Sequence, residues 1–118
     1  MQKFKELILW QEAHQLTLKI YEASKKFPKE EIFGVTSQPR RAATSISCNI
    51  AEGCGRHTAK DFANFLQISL GSTNETDYLT ILAKDLNYLS ENDFNILQEK
   101  INKVRAMNIN LIEKVRNK

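Results

Sequence analysis

Few residues in this chain carry reactive chemistry, and their spacing matches no catalytic pattern. Two histidines, His14 and His57, and two cysteines, Cys48 and Cys54, are the candidate soft ligands and nucleophiles. No His/Cys/carboxylate set has the spacing of a zinc site. The two cysteines share one segment, make no common zinc pattern and cannot build a disulfide framework. They read as reduced thiols, which points to the cytoplasm. Gly53-x-Gly55 has the glycines of a phosphate loop, but no strand precedes it and no Gly-Lys-Ser/Thr follows. A turn between two helices is the simpler reading. Nothing marks a Ser-His-Asp or Cys-His site. The expectation is therefore a protein that is not an enzyme, with no catalytic residues, no cofactor and no metal.

The cations are more informative. Arg40-Arg41 lies in a run of small residues, Ala42-Ala43-Thr44-Ser45. One reading is structural: Glu75 on a neighbouring helix pairs with an arginine, Arg41 for preference, and locks two helices together. The other is a phosphate-binding arginine pair. A cation facing small residues in mid-bundle needs a counter-charge, which favours the lock.

These residues need elements to position them. Four glycines and two prolines in 118 residues are few, and that favours long helices. A first helix is predicted over 4–27. Leu7, Trp10, His14, Leu18 and Tyr21 form one apolar face, and Leu9, Ala13, Leu16, Ile20 and Phe27 form a second. Together they cover roughly 200° of the helix, wider than one neighbour needs. Such a helix sits inside a bundle or contributes to a subunit interface. His14 reads as a satisfied core histidine, and Trp10 and Tyr21 as core or interface anchors.

A second helix is predicted over 30–52, continuous and kinked at Pro39. The alternative is a main helix that begins with Pro39 in its first turn. Gly53 and Gly55 close it as a left-handed cap. Thr58 caps a third helix over 59–89, with Asp61 three residues on. Its middle, Ser69-Leu70-Gly71-Ser72-Thr73, would let another helix approach closely. A fourth helix over 94–116 carries the heptad seam Phe94, Leu97, Ile101, Val104, Asn108, Leu111 and Val115. Asn108 is either an exposed or hydrogen-bonded residue at the seam edge or a polar residue that fixes register. Residues 1–118 read as one all-α domain, an antiparallel up-down-up-down four-helix bundle. No apolar run approaches membrane-spanning length, and no signal peptide or membrane anchor is expected.

That topology would gather charge. Residues 57–99 carry two Lys/Arg against seven Asp/Glu, whereas residues 100–118 carry six Lys/Arg against one Glu. Both termini and the second turn would meet at one end, bringing together Lys3, Lys5, Arg56, His57, Lys60, Lys114, Arg116 and Lys118. Ordinary solvated surface accounts for such residues in a monomer. The functional reading is a basic pole for nucleic-acid phosphates, with Arg56, Lys60, Lys114 and Arg116 as principal contacts and Lys3 and Lys5 beside them.

Several stretches point to a family. They are Leu9-Trp10-Gln11-x-Ala13-His14, Phe27-Pro28, Gln38-x-Arg40-Arg41-Ala42-Ala43-x-Ser45-Ile46 and Asn49-Ile50-Ala51-Glu52-Gly53-x-Gly55-Arg56, followed by Phe62-x-x-Phe65-Leu66 and Gly71-Ser72-x-x-Glu75. Nearly the whole chain resembles the bacterial four helix bundle proteins encoded in intervening sequences of 23S rRNA genes. The resemblance implies an antiparallel bundle assembled as a ring-like homopentamer. The accessory proteins of diversity-generating retroelements look like relatives; they work beside a reverse transcriptase and are thought to bind nucleic acid. No enzymatic activity is established in the family. Pro39 stands where many members have an aliphatic residue and Ser47 where many have proline, so a kink would have moved along the second helix.

Two functions compete. The first is a nucleic-acid-binding or accessory protein with phosphate-directed, sequence-independent contacts to RNA or DNA. The second is a scaffold with no nucleic-acid role, whose apolar faces serve self-assembly and docking to a protein such as a reverse transcriptase. Neither involves a membrane.

Overall fold

Residues 2–117 are described by a computed structural model in which the chain forms four long α-helices and, among the described residues, no strand. They are α1 (Ile8–Ser24), α2 (Ser37–Cys54), α3 (Ala59–Asp85) and α4 (Glu91–Arg116).

The helix ends depart from the hydrophobic period, and capping chemistry sets those on either side of the α3–α4 turn. Residues Phe4–Glu6 form a 3₁₀ turn, and Leu7 is extended, so α1 begins four residues later than its apolar pattern suggests. α2 is not a kinked helix from residue 30. Lys29–Glu31 make a separate 3₁₀ turn, and α2 starts at Ser37. Pro39 therefore falls in the first turn, where a missing N–H forfeits no intrahelical bond. The 59–89 expectation for the third helix overshoots. Asn87 takes φ 65°, Tyr88 N–H donates to the Ala83 carbonyl at 2.9 Å, and Asn87 N–H donates to the Lys84 carbonyl at 2.9 Å. This is a Schellman ending with Asn in the left-handed position. Ser90 then caps α4 by accepting from Asp93 N–H at 3.0 Å, which starts that helix three residues earlier than the apolar seam.

The two glycines at the end of α2 do not act as left-handed caps. Gly55 is the C-cap at φ −88°, and Gly53 is still helical. Gly53 is required for another reason. A Cβ there would lie 2.8 Å from Phe65 Cβ and 3.1 Å from Phe62 Cδ1, so only glycine lets α2 and α3 cross this closely.

Each helix packs on its sequence neighbour, and α1 also packs on α4. Leu16, Ile46, Ile50, Leu66, Ile101 and Val104 are fully buried between them. Contacts pair rising numbers on one helix with falling numbers on the next. Thr17 Oγ1 donates to the Ala43 carbonyl at 3.1 Å, and Arg40 Nε to Ser24 Oγ at 2.7 Å. Ser69 Oγ donates to the Ile46 carbonyl at 3.0 Å, and the Ser45 and Ser72 hydroxyls are 2.9 Å apart. The small residues of α3 thus do permit close approach, but Gly71 has no part in it: a Cβ there would meet nothing within 4 Å. Between α3 and α4, Arg105 reaches Asp77, and Asn108 Nδ2 donates to the Leu66 carbonyl at 3.3 Å. Asn108 is fully buried, not at an exposed edge, and its Oδ1 has no protein partner.

The expected Arg41–Glu75 lock is not formed. Both side chains are exposed, and among the described residues neither makes an ion pair. Arg40 turns the opposite way, onto α1, where it bonds Ser24 and lies over the Tyr21 ring at 4.9 Å. A cation beside small residues found a hydroxyl and an aromatic face in place of a carboxylate.

One apolar face of α1, with Leu9, Ala13, Leu16 and Ile20, lies in the core. Its second face does not. Leu18 and Tyr21 are 49% and 42% exposed, and His14 is half-buried, stacked on Trp10 at 5.1 Å and not enclosed in the core.

Candidate nucleic-acid interface

The site grows from the last turn of α2. The close crossing at Gly53 draws α2 onto Phe62 and Phe65, and the chain reverses through Arg56 and His57 before Thr58 restarts a helix. Thr58 Oγ1 accepts from Asp61 N–H at 3.0 Å, the cap its sequence position predicts. The N-terminal segment is fastened here as well: Gln2 N–H donates to the Cys54 carbonyl at 3.3 Å. Val115 on α4 completes the packing from the far end of the chain.

These elements enclose a half-open cleft of about 400 Å³, with Gln2, Arg56, His57 and Lys114 around it and Cys54, Phe62, Leu111 and Val115 beneath. A second depression of about 350 Å³ lies beside it, lined by Lys60, Asn64, Val115 and Arg116. The four principal candidates therefore come together as two adjoining pairs, Arg56 with Lys114 and Lys60 with Arg116. Lys3 and Lys5 are exposed but line neither depression. Lys118 lies outside the described residues.

Among the described residues, none of Lys3, Lys5, Arg56, Lys60, Lys114 or Arg116 is in an ion pair. The Arg56 guanidinium lies 4.9 Å from the centre of the Phe65 ring, which holds its stem while leaving its donors to solvent. Arg116 Nη2 donates to Gln67 Oε1 at 3.3 Å. Glu52, Asp61 and Glu113 stand exposed at the same end and temper the positive field there. Cys54 is 3% exposed, and burial pushes its thiol pKa above the ordinary value. It is a poor nucleophile at neutral pH. Among the described residues no three His, Cys, Asp or Glu side chains are placed to hold a metal ion. Among the described residues no helix is long and apolar enough to cross a membrane.

Sequence reasoning found the cations and missed the cleft. His57 read as a turn residue, Gln2 carried no signal, and Leu111 and Phe62 read as core positions. A hydrophobic period marks which residues face inward, but not where the inward face runs out at a bundle end and opens to solvent.

The model of the family described as 23S rRNA-intervening sequence protein matches residues 5–110. A solved structure from Bacteroides thetaiotaomicron, a protein with unknown function from the S23 ribosomal protein family, is 24% identical in sequence. It superimposes with a TM-score of 0.82 over 88% of this chain and 97% of that one, and at that identity the likeness is one of fold. None of the curated proteins compared matches the chain.

Proposed function

Because the chain belongs to the 23S rRNA-intervening sequence protein family, we propose that it is a non-enzymatic protein that binds nucleic-acid phosphates through one end of an up-down-up-down bundle. One observation carries the reading: Arg56 from the turn after α2, Lys60 from α3, and Lys114 and Arg116 from α4 converge on a single end, without a carboxylate partner among the described residues. Solvated cations near an anionic polymer release its counterions, so affinity falls linearly in log–log terms as salt rises. No helix presents a row of base-reading side chains, and the contacts are phosphate-directed and indifferent to sequence. Within this reading the chain works in the cytoplasm and assembles as the ring-like homopentamer its family resemblance implies, which would repeat the basic end around one rim.

Electrophoretic mobility shift over a salt series tests the proposal. Binding to structured RNA or DNA at low salt that weakens by about 0.7–0.9 log units per log unit of salt for each phosphate contacted is the expected result. No binding at low salt overturns it.

A second reading is favoured by the exposed second face of α1. Leu18 and Tyr21 are open, and Leu7, Trp10 and His14 are only half covered, at the 3/4 spacing a partner helix would recognise. A scaffold that docks another copy or a protein such as a reverse transcriptase would use that face and leave the basic end idle. Partners that survive nuclease and high salt would support it.

A further inference from the structure

The cleft between Arg56 and Lys114 differs from the depression beside it in having an apolar floor. A surface that only gathers phosphates needs none. Here Phe62 and Leu111 lie beneath the cations, and the thiol of Cys54, almost fully buried, opens onto the same space. Gln2, whose N–H donates to the Cys54 carbonyl, also lines the cleft. Its volume, about 400 Å³, lies in the range of small-ligand sites. A duplex backbone is convex and has its bases stacked inside, so it can touch the rim cations but cannot reach the floor. A chain end can. Its last nucleotide is free to unstack, and its base seeks an apolar surface while its phosphate seeks cations.

We propose that this cleft receives the unpaired terminal nucleotide of a strand, with the base against Phe62 and Leu111 and the phosphate among Arg56, His57 and Lys114. The inference rests on the nucleic-acid reading above and narrows it from any phosphate backbone to strand ends. The neighbouring Lys60 and Arg116 then follow the backbone as it leaves the cleft. A free nucleoside monophosphate has the same chemistry as a strand end, so the test separates the two.

The test uses the whole protein with Cys48→Ser, which leaves Cys54 as the single thiol. Three probes are compared at equal salt: a hairpin RNA with a short single-stranded 3′ overhang, a covalently closed circle of the same sequence, and adenosine monophosphate. The overhang should bind about tenfold tighter than the circle, the scale of one sheltered base, and should slow alkylation of Cys54. Leu111→Trp, which fills the floor without changing charge, should remove that preference and keep binding to the circle. Its folding is verified by its melting curve. Should it not fold, Cys54 protection in the parent protein decides alone. Equal binding of overhang and circle with Cys54 unprotected overturns the strand-end inference and leaves the nucleic-acid reading standing. Absence of binding by either RNA overturns both. Protection of Cys54 by the monophosphate with neither RNA bound would assign the cleft to a free nucleotide and also overturn the strand-end inference.

Discussion

The two ends of the molecule carry charge and aromatic residues to opposite effect. At the end made by the α1–α2 connection and the α3–α4 turn, polar groups engage one another. Glu31 accepts from the Tyr88 hydroxyl at 2.9 Å, Lys84 pairs with Glu91 at 3.0 Å and lies over the Phe94 ring, and Tyr88 packs on Phe27. At the other end Arg56, His57, Lys60 and Lys114 face solvent around a cleft, with no carboxylate bound to any of them among the described residues. The first end uses Lys84 and Glu31 within the fold, although Lys26 and Lys29 there are in no ion pair among the described residues, and the other leaves its cations available around a cleft. The difference teaches that an unmatched cation is informative when it lines a cleft with others.

The contrast breaks most visibly in binding. Arg56→Ala with Lys114→Ala should weaken RNA affinity at low salt about 100-fold, near tenfold for each charge-assisted contact, without moving the melting temperature. Lys84→Ala at the opposite end should leave affinity unchanged. If both variants lose binding equally in a mobility-shift titration, the two ends are not distinct. The next largest effect is on stability. Gly53→Val forces a side chain against Phe62 and Phe65 and should cost about 1–3 kcal/mol in urea unfolding. A neutral result would mean that α2 and α3 do not cross where the cleft begins.

Tyr88→Phe should lower the melting temperature modestly, since Glu31 keeps its bond from Val35 N–H. Its hydrogen bond to Glu31 holds the Tyr88 phenol above its ordinary 10.0. A raised pKa means the folded state favours the protonated phenol. That stabilisation is full below pH 10 and fades as pH climbs through the raised value, so parent and variant should converge in strong alkali. A gap that persists there would place the effect in packing. The smallest perturbation is chemical. At pH 8 a thiol reagent should modify exposed Cys48 well ahead of Cys54, whose burial disfavours the thiolate. Equal rates would mean that the Cys54 thiol is not buried.

Much of this fold was readable before any coordinates. Thr58 announced one helix start, because capping is local chemistry, whereas Ser90 starts α4 three residues ahead of the expected 94. The seam Leu97, Ile101, Val104 named the buried side of α4. Two of the failures involve choices between near-equal alternatives. Pro39 suits both a kink and a first turn, and only the short turn around Glu31 and Gly34, invisible to hydrophobic period, selects the second. Arg40 and Arg41 are identical in composition and differ by about 100° in direction. That rotation sent Arg40 to α1 and left Arg41 outside, so Glu75 lost its assigned partner. At the candidate site the cations were legible from charge segregation. The cleft was not, since it is assembled from Gln2, the end of α2, the turn, the start of α3 and the last turns of α4, which no local pattern brings together.

The hydroxyls along α3 have a thermal consequence. Ser69, Ser72, Thr73, Thr76 and Thr80 are buried where leucines would ordinarily sit, with Thr73 and Thr76 donating to carbonyls one turn back. On unfolding, apolar area raises the heat capacity and polar area lowers it. A helix seam lined with hydroxyls therefore yields a smaller heat-capacity increment than a seam of leucines of the same length. Calorimetry of this chain should accordingly return a lower heat-capacity increment per residue than a leucine-lined bundle, and a flatter stability curve.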